Sequence, residues 1–61
     1  MQLNILLPKR DAESLKEMKD EVVILNFLSF DESRMLYSID TNETYASFLT
    51  LKYGKSNVWP R

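Results

Sequence analysis

The chain has 61 residues, 44% of them hydrophobic, with eight Lys and Arg against nine Asp and Glu for a net charge of −1. That length leaves no room for a second domain and allows a core of about a dozen side chains, so one small domain over residues 1–61 is expected. No cysteine and no histidine is present, which excludes disulfides, thiolate or histidine metal centres, and any nucleophile activated by an imidazole.

A domain this small buries only about 60% of the surface its unfolded chain exposes. With no covalent or metal staple, tight packing or association must supply the rest of its stability. The balanced charge, one glycine and two prolines favour a folded chain over a disordered one.

In chain order, Leu3, Ile5 and Leu7 alternate with Gln2, Asn4 and Leu6, the period-two pattern of a strand with one buried face. Pro8 removes a backbone donor and ends the ladder. Residues 1–8 lack a basic leading region, and Lys9 and Arg10 follow directly, so the segment does not read as a signal peptide. Asp11 is a suitable N-cap for a short helix over 12–19, with Ala12, Leu15 and Met18 on one face, Glu13 early and Lys16 and Lys19 late.

Residues 22–30 are β-branched, aliphatic and aromatic on both alternations, which predicts a central strand covered on both sides, the spine of the core. At nine residues, broken by Asn26 and Ser29, the run is far short of the roughly 20 needed to cross a bilayer. No membrane association and a cytoplasmic location are therefore expected. Asp31-Glu32-Ser33 supplies turn chemistry, and Met35, Tyr37 and Ile39 alternate with Leu36 and Ser38, predicting an antiparallel hairpin in the register of that alternation.

Residues 43–53 carry two patterns. Asp40 and Glu43 have capping-box spacing, Tyr45, Phe48, Leu49 and Lys52 follow at helical intervals, and Gly54 sits where a helix would end. Tyr45, Ser47, Leu49, Leu51 and Tyr53 also alternate as a strand would. Capping signals at both ends favour the helix. The tail from Lys55 to Arg61 has room for a short last strand. The expected class is α+β: a single-layer antiparallel or mixed sheet packed by two helices, in the order β-α-β-β-α with that possible final strand.

No constellation reads as catalytic. Six serines lack a histidine partner, Asp31 and Glu32 are adjacent and so do not share a strand face, and a substrate pocket would consume much of so small a core. An enzyme is not expected. Asp40-Thr41-Asn42-Glu43-Thr44 begins like a calcium loop, but Tyr45 stands where glycine is required and Leu51 where a bidentate glutamate is, so no metal is expected. The single glycine excludes a glycine-rich phosphate loop, and no cofactor is expected.

Charge is unevenly placed. All nine acids lie within residues 11–43, a stretch of net −6, while Lys9, Arg10, Lys52, Lys55 and Arg61 flank it. If the two ends of the chain meet, these cations form one basic face, with Tyr53 and Trp59 nearby. Weak nucleic-acid binding is one consequence of such a face, but the pI near 5.2 argues against a dedicated binder. Tryptophan, tyrosine and arginine are hot-spot residues, so Tyr53, Lys55, Trp59 and Arg61, with Lys9 and Arg10, are the candidate contacts for another protein. Trp59 capping the core is the rival reading for that residue, and Phe27, Phe30, Tyr37 and Phe48 are expected in the core. The function expected by elimination is a non-enzymatic interaction module, an inhibitor or regulator of a larger protein of the kind phages and mobile elements use. The alternatives are a homodimer formed through the 22–30 strand or an exposed edge, and a nucleic-acid-associated factor.

Overall fold

The computed structural model describes all of the chain, Met1–Arg61. Strand β1 (Gln2–Pro8) leads through a 3-10 turn (Lys9–Asp11) into helix α1 (Ala12–Glu17). Strands β2 (Val22–Ser29) and β3 (Arg34–Thr41) form a hairpin, helix α2 (Glu43–Tyr53) follows, and a second 3-10 turn (Lys55–Asn57) delivers strand β4 (Val58–Pro60). The sheet is antiparallel throughout in the order β2-β3-β1-β4. Element order and strand order together are those of the split β-α-β, ferredoxin-like arrangement. The expected α+β class is observed, with the final strand present.

Alternation in β1 and β3 does what the sequence predicts. Leu3, Ile5 and Leu7 pair with Ile39, Tyr37 and Met35, and this row faces the helices. Five of these six, all but the half-buried Met35, join Leu15 of α1, Leu49 of α2, Val22 of β2 and Val58 of β4 in a core of nine buried apolar residues. Helix α2 reaches it with Tyr45, Ala46, Leu49 and Tyr53, which fall three or four apart on one face.

The caps differ in detail from the expectation. Asn42, not Asp40, begins α2: its Oδ1 accepts the Tyr45 N–H at 2.8 Å, while Asp40 still belongs to β3. Asp11 precedes α1 but makes no capping hydrogen bond, and α1 stops at Glu17. Gly54 does end α2. It adopts φ 92°, which a side chain would strain, while its N–H donates to the Thr50 carbonyl at 2.8 Å. Asn57 Nδ2 then takes the Tyr53 carbonyl at 2.7 Å, turning the chain toward β4.

One expectation fails outright: β2 is an edge strand, not the spine of the core. Val22 is buried and Ile24 half-buried, but every residue from Leu25 to Ser29 is exposed. Phe27 (59%), Phe30 (52%) and Phe48 (45%) are likewise exposed rather than core, and only Tyr37 of the four expected core aromatics is buried. The central position falls to β3 and β1, whose clean alternation suits strands covered on one side only. The pairing of β2 also departs from simple alternation, with a bulge at Leu25 between Ile24 and Asn26.

This division of labour predicts a sharp contrast in unfolding. Truncation of Leu49, fully buried on α2, to alanine should cost about 2–5 kcal/mol. Leu51, two residues on and 87% exposed, should tolerate the same change within about 0.5 kcal/mol. Urea denaturation of the two variants measures both, and equal losses would contradict the assigned helix face.

Candidate interaction surfaces

The helices lie on one face of the sheet, so the opposite face is bare. Along it the register aligns Leu6, Leu36 and Leu28 across β1, β3 and β2, an apolar row with no element above it. The next row is Asn4, Ser38 and Asn26, tied by a 2.8 Å hydrogen bond from Ser38 Oγ to Asn4 Oδ1. Trp59 pairs with Asn4, whose neighbours Leu3 and Ile5 point into the core, so the indole lies on the bare face. It remains 37% exposed and does not cap the core. Arg61 continues beside β1, its N–H donating to the Gln2 carbonyl.

The second surface is the outer edge of β2. Phe27 donates its N–H to Asn26 Oδ1 at 2.9 Å instead of to a strand. Because ladder bonds alternate, Phe27 and Ser29 turn their backbone groups to the free edge. The Phe27 ring stacks on Tyr37 at 5.6 Å between centroids, on the helix side, yet no helix extends over it.

The third surface is the end of the sheet marked by Pro8, Ser29 and Arg34, called the upper end below. Arg10, Arg34, Lys52 and Tyr53 line a shallow depression of about 360 Å³ there. Lys9 joins through its N–H bond to the Ser33 carbonyl, and Lys55 follows Gly54. Lys9, Arg10, Lys52 and Lys55 form no salt bridge; Lys52 lies 5.5 Å and 5.9 Å from the Tyr53 and Phe48 ring centres instead. Burial, reinforced by the Asp11 carboxylate beside it, raises the Tyr53 phenol above its ordinary pKa of 10.0.

The expected basic face is therefore only partly assembled. Tyr53, Lys55, Lys9 and Arg10 meet at the upper end, and Arg34, which the sequence did not single out, joins them. Trp59 and Arg61 lie elsewhere, paired along β1 at Asn4 and Gln2. Since β1 rises about 3.4 Å per residue, Arg61 stands roughly 20 Å from Pro8. The other depression, about 600 Å³ between α2 and β4, is lined by Leu3, Ala46, Thr50, Leu51, Val58 and Pro60 among others, with Glu43 its only ionisable side chain.

The hairpin turn is built by Asp31, whose Oδ1 accepts the N–H groups of Ser33 and Arg34 at 2.9 and 2.8 Å. Its Oδ2 takes the Arg34 guanidinium at 2.8 Å from Nε and 2.7 Å from Nη2, while that guanidinium lies over the Phe30 ring. No helix is long and apolar enough to cross a membrane. No family model matches the chain, and neither the curated proteins nor the solved structures contain a significant match to it.

The Asp31 contacts have a measurable consequence. The Arg34 side chain first, and the Ser33 amide after it, lower the carboxyl pKa from 3.8 to about 2. A depressed acid favours the folded turn in its ionised form. That contribution is complete above 3.8 and disappears as pH falls through about 2. The Asp31 carboxyl carbon should titrate near 2 by NMR, with the Ser33 and Arg34 amides moving together with it, and Asp31→Asn should abolish the response. A midpoint near 4 would contradict the turn geometry.

Proposed function

We propose that this chain is a non-catalytic interaction module that regulates a larger protein by binding to it, and that the bare face of the sheet is its docking surface. The observation that carries the reading is the row Leu6, Leu36 and Leu28 with Trp59 beside it, apolar residues on a face no element covers. Leu28 and Trp59 are exposed and Leu6 and Leu36 between them half-buried, and contiguous apolar surface on so small a protein marks a contact site. The whole chain exposes 4124 Å², and a standard interface takes about 800 Å² from each partner, so one contact occupies about a fifth of the molecule.

The same face argues against the nucleic-acid alternative. Sheets of this topology that bind RNA stack bases on aromatics of the central strands. Here β1 presents Gln2, Asn4 and Leu6 and β3 presents Leu36, Ser38 and Asp40, none of them aromatic, while Trp59 sits on an edge strand away from the upper cations. Of the contacts suggested by sequence, Trp59 and Arg61 serve this reading directly. Lys9, Arg10, Tyr53 and Lys55 form a basic rim that steers an acidic partner. An inhibitor or adaptor of the kind phages and mobile elements use fits this description by analogy of type.

The test is affinity capture from host lysate with the wild-type chain and with a Leu6→Lys, Trp59→Ala double variant, both positions lying away from β2. Loss of a hot-spot tryptophan costs about 2 kcal/mol or more, near thirtyfold in affinity. A partner retained by the wild type and lost by the folded variant is expected. A wild-type chain that recovers nothing but itself, or a variant that holds the same partner equally well, would contradict the proposal.

A further inference from the structure

We propose that the outer edge of β2 pairs with β2 of a second copy of this chain across a two-fold axis, joining two four-stranded sheets into one antiparallel sheet. This goes beyond the docking reading and shares only Leu28 with that surface; Leu6 and Trp59 lie away from it, so either can fail alone.

The edge is open in a way edge strands seldom are. Monomeric proteins guard such strands with lysine, proline or inward charges. Between Glu21 and Asp31 this chain has none of these across nine residues, 22–30. Its only devices are the bulge at Leu25 and the Asn26 side chain holding the Phe27 N–H. Rotation of that one amide side chain frees the donor, and Phe27 and Ser29 then offer two successive outward positions for ladder bonds.

The occupant is a second copy because the strand's uncovered half matches its covered half. On the helix side of β2, cover declines from Val22, buried, through Ile24, half-buried, to Phe27, 59% exposed. The reason is that α1 spans six residues, and the Met18 carbonyl accepts the N–H groups of Glu21 and Val22, which holds the chain after α1 to the Val22 end. An antiparallel two-fold sets the Val22 end of one strand beside the Phe27 end of the other. The second copy's α1 and its 18–21 turn then cover Phe27 on the helix side, and the converse holds by symmetry.

Charge selects the same orientation. The upper end carries Lys9, Arg10, Arg34, Lys52 and Lys55 against Asp11, Asp31 and Glu32. The opposite end carries Asp20, Glu21, Asp40 and Glu43 against Lys19, Arg61 and the Met1 ammonium, which pairs with Asp40 at 3.1 Å. An antiparallel pairing brings ends of opposite net charge together.

The area is adequate. Val23, Leu25, Phe27, Leu28 and Phe30 are each 41–59% exposed. With aromatic side chains of about 150–250 Å² and aliphatic ones somewhat smaller, they offer on the order of 500 Å² per copy. Adding the backbone edge of β2 approaches the roughly 800 Å² of a standard interface.

Sedimentation equilibrium over a concentration series tests the proposal. The wild-type mass should approach twice 7.2 kDa. Asn26→Lys, which places a charge on an exposed and already polar position of the edge, should weaken association at least about a hundredfold through like-charge contact across the two-fold. Its circular dichroism should remain that of the wild type, and Leu51→Lys, on an exposed site of α2, should leave the dimer intact. A wild type that stays at 7.2 kDa at the highest concentration overturns the proposal, as does a dimer unaffected by Asn26→Lys. A monomer that still loses a captured partner on Trp59→Ala overturns the dimer and spares the docking face.

Discussion

Coverage is the constraint from which the rest of the structure follows. Helices of six and eleven residues have to shield a four-stranded sheet, and they cover one face of it incompletely. Helix α2 lies over β1 and β4, where Leu3, Ile5 and Val58 are buried, and α1 reaches only the start of β2. The core is therefore a single layer of nine side chains. The other face of the sheet and the outer edge of β2 are left to water or to a partner. Stability and function are linked at this point, because the apolar residues that fail to reach the core are those that make association favourable.

Local interactions then fix the ends that coverage does not. At the lower end, Thr41 Oγ1 donates to the Glu21 carbonyl at 2.7 Å and Asn42 Nδ2 to the Glu21 carboxylate at 3.0 Å, binding the turn before β2 to the start of α2. At the upper end, Asp31 organises the hairpin and draws Arg34 over Phe30. Four of the cations without salt bridges, Lys9, Arg10, Lys52 and Lys55, lie at that upper end with Tyr53, so a chain of net charge −1 still presents two ends of opposite sign.

Much of the fold was legible in the residues. Strands β1 and β3 each have one apolar alternation, and both bury that face; Gly54 marks the end of α2 because no other residue suits its backbone. The misreading of β2 has a physical origin. An uninterrupted apolar strand has the same pattern whether it is covered on both sides by its own chain or exposed for association, and only strand order separates the two. Asn42 was hidden behind Asp40, since either residue type caps a helix and the deciding factor is where β3 ends. The surfaces were legible in part. The clustering of Lys9, Arg10, Tyr53 and Lys55 follows from β1 and α2 ending on the same side. Trp59 and Arg61 part from them because β4 runs antiparallel to β1 and carries the chain back toward Gln2.

The central claim is that the apolar run of β2 lies at the surface of one chain and is covered only by another molecule. Residue-resolved amide hydrogen exchange of the wild-type chain, in dilute and in concentrated solution, tests it most directly. Amides of Ile5 and Ile39 should be protected in both, while those of Phe27 and Ser29 should exchange freely when dilute and become protected when concentrated. Protection of Phe27 and Ser29 in the dilute sample would place β2 inside a single chain's own sheet, and free exchange of both at every concentration would leave the edge without a partner copy; either result contradicts the account.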